Sequence, residues 1–112
     1  MCKAKEYSKE LLELIDKIEN EKLMLCEKIS KCDLATSEIL HQIELRKFNA
    51  CEGFELCKAL QQIRKERRMV KLEIDPINSM YSKMEINSLK VKVKHTIKNI
   101  ERLEDRELYR DL

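Results

Sequence analysis

From Leu11 to Arg46 the chain advances in alternating steps of four and three: Leu11, Ile15, Ile18, Lys22, Leu25, Ile29, Cys32, Thr36, Ile39, Ile43, Arg46. Eight of these eleven positions are apolar, and neither Gly nor Pro interrupts them. An apolar period of 3.5 residues predicts a coiled-coil or long-bundle helix, because it keeps one narrow seam turned toward a partner. A helix over 11–46 extends roughly 54 Å, at about 1.5 Å per residue. It needs cover along that length, from the rest of the chain or from a second copy. Ser, Asp and Thr cluster between Ser30 and Ser37, which marks the place where a cap could break this helix.

The first expected turn covers 47–53, where Asn49 followed by Glu52 fits a capping box. A second helix carries Leu56, Leu60, Ile63, Arg67, Val70 and Ile74 in the same steps. Pro76 is expected to end it, since a proline removes a helical donor and restricts the residue before it. So short a connection predicts an antiparallel arrangement of these two helices. In the C-terminal part, Ile86, Leu89, Val93, Thr96, Ile100 and Leu103 keep helical spacing. A competing alternation of Leu89, Val91 and Val93 with Lys90, Lys92 and Lys94 would suit a short strand near 89–95. The expected fold is therefore mainly α, a long helix plus an antiparallel helical hairpin, coiled-coil-like, in one domain spanning 1–112. Its expected parts are a helix over about 5–47, a turn at 47–53, a helix over about 54–75, a connector at 76–86 and a helix over about 87–110.

Composition narrows the function classes. A single Gly (Gly53) and a single Pro (Pro76) stand among 112 residues, of which 39% are charged. Glycine-rich phosphate loops, dinucleotide fingerprints and turn-rich β folds need glycines that this chain lacks. The net charge of +2 is small for a protein that binds nucleic acid by general phosphate neutralisation, so any such contact must come from a local patch. No apolar run approaches a bilayer span, and the opening MCKAKEYSKE is unlike a secretory signal, so a cytoplasmic location is expected. The five cysteines, Cys2, Cys26, Cys32, Cys51 and Cys57, form no C-x-x-C pair. They are expected to be free, small buried hydrophobes in a reducing compartment, with no metal bound.

Candidate chemistry concentrates in the second helix. Six basic residues and one acid lie between Lys58 and Lys71, including Arg64, Lys65, Arg67, Arg68 and Lys71. Arg64, Arg68 and Lys71 share a helix face at i, i+4 and i+7, whereas Arg67 falls on the apolar seam and needs a carboxylate or an anionic ligand. The cluster is either a solvated face with one inter-helix ion pair or a binding patch for phosphate, nucleotide or an acidic protein surface. No aromatic residue interleaves with these cations, which weakens the case for single-stranded nucleic acid. Lys90, Lys92, Lys94 and Lys98 read as solvated surface. His41 and His95 have no sequence-local nucleophile, so the chain reads as a non-enzymatic protein without a cofactor.

The segments SEILHQIEL, FNACEGFE and QQIRKERRMVK, between Ser37 and Asp75, resemble small helical proteins of phages and prophages of Gram-positive bacteria. Some of those counter host defence, as anti-Thoeris-like nucleotide sponges or anti-CRISPR-like blockers of a defence protein. The resemblance implies a stoichiometric binding protein of the host cytoplasm that takes a nucleotide signal or a defence protein. On this reading Arg64, Lys65, Arg67, Arg68 and Lys71 make the contacts, and self-association as a homodimer or higher oligomer covers the long seam. The alternatives are a structural or adaptor coiled coil and a small nucleic-acid-binding regulator.

Overall fold

A computed structural model describes residues 2–110 in three helices, α1 (Lys3–Leu45), α2 (Ala50–Lys83) and α3 (Ile86–Arg110). The two ends of the expected 1–112 span, residue 1 and residues 111–112, lie outside the described residues. The mainly-α expectation holds, and the strand alternative near 89–95 does not: those residues all lie inside α3. A lone strand there would leave its backbone groups unpaired. As a helix, the segment instead points Val93 inward and Lys92 and Lys94 outward.

α1 runs without a break through Ser30–Ser37. The Thr36 hydroxyl donates to the carbonyl of Cys32 at 2.8 Å within the helix, so it does not cap a new one. Asp33 is occupied by a partner on α2. The cap that does form is at Asn49, whose side-chain oxygen accepts from the backbone N–H of Glu52 at 2.8 Å. The Glu52 carboxylate turns to Arg46 at 3.8 Å instead of closing the box. Helix α2 therefore begins at Ala50, four residues ahead of the expected 54. Gly53 suits this junction because the Phe48 ring lies only 3.2 Å from where its Cβ would be.

Pro76 does not end α2, and most of the expected connector at 76–86 is helical. The seam continues past the proline through half-buried Ile77, Met80 and Tyr81, so packing outweighs the missing donor. Pro76 and Leu72, whose carbonyl loses that donor, both lie on the exposed side, where water can replace it. The break comes at Met84 and Glu85. Glu85 has φ of 49°, a left-handed conformation, and its carbonyl accepts from Leu89 to open α3.

Contacts gather into two compact units. One comprises Met1–Asn20 with Ser79–Leu112, the other Glu21–Asn78. In the first, buried Ile15, Ile86 and Val93 form the core, with Leu12, Ile18, Met80, Tyr81 and Ile97 packed against them. In the second, α1 and α2 run antiparallel along half-buried Ile29, Cys32, Thr36, Ile39 and Ile43 facing Leu56, Leu60, Ile63, Arg67 and Val70. Leu25 and Ile74 are its buried residues. No helix among the described residues is long and apolar enough to cross a membrane.

Candidate functional site

The basic cluster divides into two groups. Arg67 is half-buried on the α1–α2 seam, and its Nε–H donates to the Asp33 carboxylate at 2.7 Å. This is the inter-helix partner that its seam position demanded. Lys71 sits 3.4 Å from Asp75, one turn on along the same helix. Arg64, Lys65 and Arg68 are exposed and, with Gln61, line a shallow open concavity of about 170 Å³. None of these three cations has an ion-pair partner among the described residues. All three lie within α2, with Arg64 and Arg68 one turn apart and Lys65 beside Arg64.

A second polar constellation, in the unit built from α1, the end of α2 and α3, was not anticipated. Glu19 accepts from Lys90 on one oxygen and from the Tyr81 hydroxyl at 3.1 Å on the other, and Asp16 lies 3.9 Å from the same ammonium. The hydrogen bond from Lys90 holds the Glu19 carboxyl below the ordinary carboxylate range. The same bond raises the Lys90 ammonium. Partial burial, then the bond to Glu19, raises the Tyr81 phenol. At the other end of this unit, Lys5 bridges Glu104 at 3.3 Å and Glu101 at 3.7 Å, and the bond to Glu104 raises its ammonium. The Cys2 thiol, followed by Lys5, holds the Glu104 carboxyl down.

The signal for this constellation is a second register in α3. Half-buried or buried positions run Ile86, Lys90, Val93, Ile97, Ile100 and Glu104, in place of the expected Ile86, Leu89, Val93, Thr96, Ile100 and Leu103. Lys90 thus reads as surface in sequence but lies on the seam, where two acids of α1 receive it.

The cysteines are free as expected, but the expectation of burial fails for most of them. Cys2, Cys26, Cys51 and Cys57 are exposed, and Cys32 is half-buried on the α1 seam. The six-residue spacing puts Cys26 and Cys32 on different faces and only Cys32 on the seam, whereas Cys51 and Cys57 both lie off it. His41 and His95 are exposed. Among the described residues no three His, Cys, Asp or Glu side chains gather in a metal-binding arrangement. No family model, curated protein or solved structure matches the chain.

Proposed function

We propose that the protein is a non-enzymatic binding protein that docks an acidic surface of a partner protein onto Arg64, Lys65 and Arg68. The observation that carries this reading is the exposure of three cations on one open concavity without acids to neutralise them. Pockets for small-molecule ligands are commonly about 300–1,000 Å³ and enclosing. A shallow concavity favours a broad protein surface, to which arginine forks can pair carboxylates, over a sequestered nucleotide. In the counter-defence setting that the resemblance to phage proteins implies, the partner is a host defence protein held stoichiometrically. Arg67 and Lys71 leave the contact set, since each has a carboxylate in its own unit.

The second reading is a structural or adaptor coiled coil without an anionic partner. It is favoured by the Arg67–Asp33 pair, which uses a cation of the cluster purely to join two helices.

Native mass spectrometry of the chain recovered from its host cells, as wild type and as the Arg64→Glu/Arg68→Glu variant, separates the two. The binding reading expects a retained protein partner that the variant loses, with unchanged helicity and a stability change within about 0.5 kcal/mol, as for exposed positions. A partner retained equally by both forms, or bound nucleotide in its place, refutes it.

A further inference from the structure

The apolar stripe of the first unit is wider than the seam that its helices bury. On α1, Ser8, Leu12, Ile15 and Glu19 turn inward, and the residues one place earlier, Tyr7, Leu11, Leu14 and Ile18, make a parallel stripe. Tyr7 is 58% exposed, Leu11 46% and Leu14 55%. On α3 the inward set is Ile86, Lys90, Val93, Ile97, Ile100 and Glu104. The residues one place before it include Leu89, Thr96 and Leu103, and Leu103 is 58% exposed.

In an antiparallel helix pair, the places just before the seam on both helices emerge on the same side. The α1–α2 pair illustrates this, where Lys28 and Lys31, just before Ile29 and Cys32, share a depression with Glu66 and Met69, just before Arg67 and Val70. Lys5 beside Glu104 and Glu19 beside Lys90 fix α3 as antiparallel to α1. Tyr7, Leu11 and Leu14 therefore share one face with Leu89, Thr96 and Leu103. The register of those two pairs sets Leu103 level with Tyr7 and Leu89 level with Ile18.

The charges bordering this face differ between the helices. Along α1 the next places outward are Glu6, Glu10, Glu13 and Lys17, whereas along α3 the face and its border carry Lys92, His95, Lys98, Arg102 and Arg106. None of Glu6, Glu10, Glu13, Lys92 and Arg102 has an ion-pair partner among the described residues. The face is thus apolar along α1 and mixed along α3, where Leu89 and Leu103 flank Lys92, Thr96 and Asn99; its α1 edge is acidic from Glu6 to Glu13 and its α3 edge is basic.

We infer that a second copy of this chain covers the face, related by a two-fold axis parallel to the helices. A two-fold interface must be self-complementary. Rotation about an axis parallel to the helices stacks each α1 on the partner's α3, antiparallel, and sets the acidic edge against the basic one. The other face-to-face axis, across the helices, stacks α1 on α1 and α3 on α3, and so opposes the basic α3 edge to itself, which like-charge repulsion disfavours. The result is a four-helix arrangement in which both halves of the wide apolar stripe are buried.

Sedimentation velocity of the full chain under reducing conditions tests the inference. Wild type is expected to be a dimer at micromolar concentration. Leu11→Glu/Leu14→Glu should be monomeric with helical circular dichroism retained. Two edge variants test the axis without touching the apolar centre. Glu10→Lys/Glu13→Lys and Lys92→Glu/Arg102→Glu should each weaken the dimer at least tenfold, and combining all four should restore it. Monomeric wild type up to high micromolar concentration, or a dimer indifferent to Leu11→Glu/Leu14→Glu, overturns the inference. Edge variants that weaken the dimer without restoration in combination overturn the stated axis. The basic concavity of α2 is unchanged in every one of these variants.

Discussion

The two units apply one heptad spacing to different ends. In the unit of α1, the end of α2 and α3, three buried aliphatic residues form a cluster, and the polar seam residues Glu19 and Lys90 meet over it with Tyr81. In the α1–α2 unit, burial is confined to Leu25 and Ile74, and from Ile29 to Leu45 and from Ala50 to Val70 no described residue is fully buried. Its seam is spent partly on Cys32, Thr36 and Arg67. Two helices side by side have a single seam, and wherever that seam holds small or charged residues the pair gains little from burial. Such a region is held by helix propensity and capping, and it presents more of its surface to partners. Arg64, Lys65 and Arg68 lie in this region.

The largest test of this difference is a pair of truncations. Ile86 is 3% exposed in the core of its unit. Ile86→Ala should therefore cost about 3 kcal/mol, through lost burial and a residual cavity. Leu60, half-buried at the cysteine-rich end of the other seam, should cost about 1 kcal/mol as Leu60→Ala, since a partly exposed side chain loses less. Urea unfolding of both variants measures the gap, and equal losses would show the two seams to be packed alike.

The polar seam of the first unit makes a smaller, pH-dependent contribution. Glu19 is held below its ordinary value of 4.5, so the folded state binds fewer protons there than the unfolded chain. Its contribution is present above that ordinary value and is lost as the pH falls through the lower folded value. Lys90 is raised above 10.5, so its share is present below that pH and is lost as the pH rises through the folded value. Thermal melts between pH 6 and 3 should fall more steeply for wild type than for Glu19→Gln. Parallel curves would show that the Lys90 bond contributes nothing to the acid limb.

What could be read from the sequence follows from what kind of contact each feature needs. The seams of α1 and α2 were legible because their spacing repeats locally, and the Asn49 cap because its partners lie within three residues. The need of Arg67 for a carboxylate was legible from its seam position alone. The identity of that carboxylate, Asp33, was not, because it depends on how two helices align. The run through Pro76 was hidden for the same reason: local chemistry forbids it, and only the packing of Ile77 and Tyr81 favours it. In α3, two registers share Ile86, Val93 and Ile100. The choice between them rests on Glu19 and Asp16, which are 71 residues or more away from Lys90.

The smallest expected effect concerns the pair that joins the two helices of the α1–α2 unit. The Arg67 side chain is 31% exposed and the Asp33 side chain 53%, so water screens their attraction although the bond measures 2.7 Å. A double-mutant cycle of Asp33→Ala and Arg67→Ala should give a coupling of about 0.5 kcal/mol, in the range of exposed ion pairs. Arg67→Ala alone should cost more than Asp33→Ala alone, because the arginine stem also covers the apolar seam. For the same reason Arg67→Met should recover most of the stability lost in Arg67→Ala, since its side chain fills the seam without the charge. A coupling above about 2 kcal/mol would mean that the pair is shielded from solvent far better than its exposure implies. The second seam would then be as strongly joined as the first, and the contrast between the units would fail.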